Sequence, residues 1–136
     1  MRYKRPDKKN AESLIGSAKN EIEYTLTLEV SEKSSSTIIR NIYESFRMLG
    51  DALLLNKGIE SKDHIEPINE LLRLNVKTTR PINLIENLRS LRHNINYYGY
   101  IPSKEEARDF ASFTKENFKI ILNAVKSKIE SETQKS

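Results

Sequence analysis

The chain contains no cysteine and no tryptophan, and only four glycines and four prolines occur in its 136 residues. Without cysteine there is neither a disulfide nor a thiolate metal site, and nothing opposes a reducing compartment. The few glycines form no phosphate-cradling P-loop and no GxGxxG turn, and there is no nucleophile elbow. No HExxH is present, and no carboxylates share a helical face with a histidine, so neither a metal nor a cofactor is expected. Apolar runs fall well short of the roughly 20 residues that span a bilayer. The basic start, Met1-Arg2-Tyr3-Lys4-Arg5, leads into no apolar segment, so no secretory signal is expected. These absences predict a cytoplasmic protein without membrane contact.

What remains is a mixture of 37% hydrophobic and 31% charged residues, which a fold must sort by face. The length suits one domain over residues 1–136. Lys and Arg number 23 against 19 Asp and Glu, a net charge of +4. Five of those cations fall in residues 1–9 beside the single Asp7, which reads as a solvated basic arm. Residues 131–136 read as a frayed C-terminal tail.

Apolar spacing of three and four residues predicts five helices and few or no strands. The first covers about 10–32, with Leu14, Ile15, Ala18, Ile22, Leu26 and Val30 on one side. One of Ser34, Ser35 and Ser36 is expected to cap the second. That helix covers about 37–57, with Ile39, Ile42, Phe46, Leu49 and Leu53 inward, and Gly58 ends it. Along it, Arg40, Glu44, Arg47 and Asp51 read as an ion-paired face. A third, short helix follows Ser61 and carries Ile65, Ile68, Leu71 and Leu72. His64 near its start reads as a surface or capping residue. Pro81 suits the first turn of a fourth, whose seam is Leu84, Leu88, Leu91, Ile95 and Tyr98, with Gly99 as its stop. Ser103-Lys-Glu-Glu106 matches a capping box at the head of the fifth. Long helices with short connections predict an all-α, up-and-down antiparallel bundle of four to five helices.

One stretch is unusual in composition: Leu88-Arg-Ser-Leu-Arg-His-Asn-Ile-Asn-Tyr-Tyr-Gly-Tyr100. At 100° per residue, Arg89, Arg92, His93, Asn96 and Tyr100 fall away from the seam, with Arg92 nearest its edge. Guanidinium, imidazole, amide and phenol donors suit phosphate and ribose, and Tyr97 and Tyr98 offer flat surfaces for a base. The competing reading makes the arginines solvated cations and the tyrosines packing residues.

The order of these features resembles the HEPN family (higher eukaryote and prokaryote nucleotide-binding domain), over nearly the whole chain. The second helix, from Ile38 to its Gly58 stop, is similar to the family's central helix. Leu91-Arg-His-Asn-Ile-Asn-Tyr-Tyr-Gly-Tyr-Ile-Pro-Ser-Lys-Glu-Glu-Ala107 is similar to its fourth-helix motif, turn and capped last helix. The resemblance implies a helical bundle, a homodimer, and either a metal-independent ribonuclease or a relative of one. It also implies a toxin–antitoxin setting with a nucleotidyltransferase partner, for which Tyr98 or Tyr100 could accept a nucleotidyl group.

The family's nuclease motif is an Arg, then Asn, Asp or His, then a His several residues on. Arg92 and His93 match the first two places. Tyr97, Tyr98 and Gly99 stand where the closing histidine would fall, and a phenol with an ordinary pKa near 10 is a poor base at neutral pH. The expectation is therefore a non-catalytic module binding a nucleotide, RNA or a partner protein through Arg89, Arg92, Asn94, Asn96, Tyr98 and Tyr100. Two alternatives stay open. One is a ribonuclease with a diverged site built on Arg92, His93 and Tyr97, and the other is a helical adaptor subunit.

Overall fold

The computed structural model describes residues 2–63 and 65–135, with side chains for 3–63 and 65–132; the expectation for His64 lies outside them. In chain order the elements are β1 (Arg2–Tyr3), α1 (Lys8–Thr25), α2 (Ser35–Asn56), β2 (Ile59–Glu60), α3 (Ile65–Leu72), α4 (Leu84–Tyr98) and α5 (Lys104–Lys135). The all-α helical bundle is thus present, with one two-residue antiparallel ladder that pairs Arg2 with Glu60 and Tyr3 with Ile59.

Contacts between ends give the helix directions. The Asp7 amide at the head of α1 donates to the Leu55 carbonyl at the foot of α2, so these two run antiparallel. Ser35, opening α2, donates to the Pro102 carbonyl just ahead of α5, and Asn56, closing α2, donates to Glu132. Hence α2 and α5 run parallel. Asn96, near the end of α4, meets Arg40, near the start of α2, which sets α4 antiparallel to both. The four long helices therefore alternate in direction along the chain, and α3 fills the connection between the second and the third of them.

The core is built around α2, whose Ile38, Ile39, Ile42, Tyr43, Phe46, Leu49 and Leu53 are essentially sealed from solvent. Phe46 lies between Phe113 and Phe118 of α5, at ring separations of 6.3 and 5.6 Å. Ala11, Ile15, Ala18 and Ile22 of α1, and Ile85, Leu88 and Ile95 of α4, close the same core.

Local signals behave unevenly. The capping box forms in full: the Ser103 hydroxyl accepts from the Glu106 amide at 3.1 Å, and Glu106 accepts from the Ser103 amide at 3.0 Å. Gly58 takes the left-handed conformation expected of a helix stop, at φ 78°. Its neighbourhood adds a second constraint, since a Cβ there would lie 2.2 Å from the Lys4 carbonyl oxygen. The serine cap fails. Ser34 precedes α2, but its hydroxyl turns back to donate to the Glu29 carbonyl at 2.7 Å and caps no α2 amide, while Ser35 is buried against Pro102. Helix α1 stops at Thr25, well short of Glu32, because the Leu26 and Thr27 amides and the Thr27 hydroxyl all close on the last turn. Pro81 lies ahead of α4 and not within its first turn.

Secondary structure reaches both ends of the described chain, while the side chains of residues 3–6 stay exposed. The basic arm is tied down by β1, by the Lys4 amide donating to the Gly58 carbonyl at 2.6 Å, and by α1 starting at Lys8. Helix α5 runs to Lys135.

One buried group is mismatched. Thr25 is 1% exposed and its hydroxyl has no hydrogen-bond partner. A buried unsatisfied hydroxyl costs about 1–3 kcal/mol. Thr25→Val, which keeps the β-branched shape, is therefore expected to raise the urea midpoint, by about 1 kcal/mol of stability. A lower midpoint would show that the hydroxyl is satisfied after all.

Candidate functional site

The unusual stretch occupies the second half of α4, and its buried face differs from the one the leucine spacing suggests. Ile85, Leu88 and Ile95 are buried, Leu84 and Leu91 are half-buried, and Tyr98 is 76% exposed. The seam is thus centred on Ile85–Leu88–Ile95, and it passes along Arg92, which at i, i+3, i+7 and i+10 spacing joins the same face. The apolar spacing predicts a seam that includes Leu84, Leu91 and Tyr98, about one position off the buried face. The packing against α2 takes Ile85, Leu88 and Ile95 inward and leaves Tyr98 outside.

Arg92 is half-buried on this edge, and its guanidinium carbon lies 5.4 Å from the centre of the Tyr43 ring. A guanidinium over an aromatic face gains about 0.5–2 kcal/mol. Among the described residues no carboxylate forms an ion pair with it. Arg40, one turn before Tyr43 on α2, is exposed and likewise has no carboxylate partner, and its Nη1 makes a long 3.5 Å contact to Asn96 Oδ1. Arg40 and Asn96, both exposed, and the half-buried Arg92 therefore stand along the α2–α4 edge.

The neighbouring charges are already matched. Arg89 donates through Nε and Nη2 to Glu86 Oε1, the first at 2.9 Å, and that bond raises its pKa. Arg47 pairs with Glu44 and Asp51, so the predicted ion-paired face of α2 holds without Arg40. Burial raises the Tyr43 phenol to about 12, although Arg92, Arg47 and Arg89 all act to lower it. Tyr43 is a neutral platform at any working pH.

Burial also pushes Asp51 up to about 6, outweighing Arg47 beside it, with Glu44 adding to the rise. Between 3.8 and about 6 the folded chain keeps this proton while the unfolded chain has released it. Stability contributed here is present at low pH and falls as pH rises through that window. Asp51→Asn is expected to flatten the change in urea midpoint between about pH 4 and about pH 7. An equally steep change in the variant would assign the effect to other groups.

The remaining predicted site residues sit elsewhere. His93 points to solvent with its ring 4.7 Å from Tyr97 and 5.8 Å from Tyr98. These three form an exposed aromatic shelf, with Tyr97 at 68% exposure. His93 therefore stands with Tyr97, about 100° around the helix from Arg92. Tyr100 donates its hydroxyl to Glu106 and so joins the capping box, which raises its pKa. Asn94 is exposed, and its carbonyl accepts from the Gly99 and Tyr100 amides that turn the chain out of α4. The sequence reading missed Tyr43 and Arg40, because their relation to Arg92 crosses about fifty positions. No group of three or more His, Asp or Glu side chains fit to hold a metal occurs among the described residues. Nor is any helix there long and apolar enough to cross a membrane.

Fold and site together define an all-helical bundle with an unneutralised arginine edge beside an aromatic shelf. Compared with known proteins, the chain matches no family model, no curated protein and no solved structure.

Proposed function

We propose that this chain is a HEPN-like, non-catalytic binding module that grips a phosphate of RNA or of a nucleotide between Arg92 and Arg40. The observation that carries this reading is the state of Arg92, a half-buried guanidinium without a carboxylate partner among the described residues. Sheltering a cation is costly unless an anion repays it. Glu86 and the Glu44–Asp51 pair show that this fold supplies carboxylates where it neutralises arginines. Leaving two arginines unmatched beside an amide donor suits an external phosphate, which a guanidinium binds with two parallel bonds.

The aromatic shelf supports RNA further. Tyr97 and Tyr98 lie on the same helix, exposed, where a base attached to the held phosphate stacks at about 1–3 kcal/mol. The separation of His93 from Arg92 argues against a cutting site, because the proton-moving group and the phosphate-steadying group belong on one reacting centre. In this reading the module works as a homodimer in a toxin–antitoxin or nucleotidyltransferase-associated pair.

The test is fluorescence anisotropy with a labelled single-stranded oligoribonucleotide, alongside incubation with total RNA in EDTA read on a denaturing gel. Salt-sensitive binding without cleavage is expected. Cleavage abolished by Arg92→Ala would replace the reading with a ribonuclease. A folded protein that neither binds nor cuts RNA, and ignores nucleotides, would leave the adaptor reading.

A further inference from the structure

Helices α1 and α5 touch sparingly along their length, and an open groove runs between them, away from the α2–α4 edge. Three depressions follow one another along it. The first, about 290 Å³, has Ile15 and Ile129 in its walls. The second, about 420 Å³, is lined by Ile22, Leu26, Phe118 and Leu122. The third, about 290 Å³, is lined by Leu26, Leu28, Val30 and Ala111. Lys126 borders both the first and the second, and Leu26 and Lys115 border both the second and the third, so the groove is continuous. From Ala111 to Ile129 along α5 it extends about 27 Å, the length of about five helical turns.

Its rim carries both signs, with the bases in excess along α5. The acids that border it are already paired: Glu23 with Lys19 at 3.9 Å, and Glu12 and Glu130 with Lys8 at 3.8 and 3.4 Å. The bases of α5 are not. Arg108, Lys115, Lys119 and Lys126 are exposed, and among the described residues none forms an ion pair. An apolar floor with unpaired cations along one bank is complementary to a rod with an apolar stripe and acidic flanks.

We propose that the α1–α5 groove is a docking site for an acidic amphipathic helix of a partner protein. Such a helix lays residues at i, i+3, i+4 and i+7 into the successive depressions. Its Glu or Asp side chains meet the α5 lysines, which set partner choice and speed encounter. A lipid surface fits less well, because Ile22, Phe118, Leu122 and Ile129 lie below the rim, each at most 6% exposed, and offer no protruding face to insert. This site is independent of the phosphate reading, since no α4 residue lines it.

The experiment uses the full chain, ¹⁵N-labelled, followed by NMR. The probe is a synthetic helical peptide of about 18 residues with leucines on one stripe and glutamates on the flanks. Its counterpart replaces glutamate by lysine, and phosphatidylglycerol vesicles form the third arm. The acidic peptide is expected to shift amides of residues 15–30 and 108–129 and to leave α4 unmoved. Reversing the exposed lysines together, Lys115→Glu, Lys119→Glu and Lys126→Glu, is expected to weaken it at least about tenfold without unfolding the chain. Equal binding of the lysine peptide, no shift in these residues with the acidic one, or shifts produced by the vesicles in its place would each overturn the proposal.

Discussion

Gly50→Ala is expected to destabilise the protein by at least about 2 kcal/mol, lowering its melting temperature by roughly 6–10 °C. The sign runs against local propensity. In an open helix, alanine gains about 1 kcal/mol over glycine, because glycine gives up more backbone freedom. Gly50 lies within α2, but α3 crosses directly above it. A Cβ there would sit 2.0 Å from the Pro67 carbonyl oxygen and 2.5 Å from its carbon. Both atoms are backbone, so no side chain can swing aside, and α3 as a whole must lift. Pro67 stands in the first turn of α3, where its missing amide costs nothing. Gly16 of α1 is the control, since nothing lies within 4 Å of a Cβ placed there. Gly16→Ala is expected to raise the melting temperature while Gly50→Ala lowers it. Equal gains from both, measured by thermal denaturation, would mean that α3 is not seated on α2.

Arg92→Ala is expected to weaken oligoribonucleotide binding by about 10- to 100-fold, the range set by about 1.5–3 kcal/mol for a charge-assisted hydrogen bond to phosphate. The logarithmic dependence of affinity on salt is expected to become shallower by about 0.7, the share of one phosphate contact on a single strand. Stability should change little. The variant loses a cation–π contact with Tyr43, but it also removes a sheltered charge that pairs with no carboxylate among the described residues. Arg92→Lys keeps the charge and loses the planar fork, so an intermediate loss is expected. Arg89→Ala is the informative contrast. Arg89 already serves Glu86, and its removal should cost less affinity than the loss of Arg92. If the two alanine variants weaken binding equally, the site is a diffuse basic surface and the geometry around Tyr43 is irrelevant.

The parts of the fold legible from sequence are those that local chemistry dictates. The Ser103–Glu106 box, the Gly58 and Gly99 stops and the start of α3 beyond Ser61 each depend on residues within one turn of each other. Periodicity alone was enough to identify five helices. Where reading by type went astray, a distant contact had intervened. Ser35 looks like a cap, yet its hydroxyl is held by Pro102. Arg2 and Tyr3 belong to a stretch that looks like a solvated arm, yet their backbone pairs with the strand Ile59–Glu60. Tyr98 looks like a seam residue, yet the bundle turns it outward.

The candidate site shows the same division. Composition singled out the Arg92 stretch, and helical spacing placed Arg92 near the seam edge. Its environment depends on Tyr43 and Arg40, which belong to another helix. A lone α4 helix already places Glu86 one turn from Arg89 and leaves Arg92 free to find water. Arg89 meets Glu86 through i, i+3 spacing within α4, whereas only the packing of α4 on α2 sets Arg92 over an aromatic ring.

By itself, then, the sequence determined the helical class, because apolar period and capping act within a turn or two. It also determined the chemical make-up of the surface that distinguishes this chain. The tertiary structure decided which helix α2 lies beside, which glycine must stay bare, and which cations are left unneutralised. Those outcomes depend on atoms brought together across 17 positions, Gly50 to Pro67, and 49 positions, Tyr43 to Arg92, and local propensity carries no information over such separations.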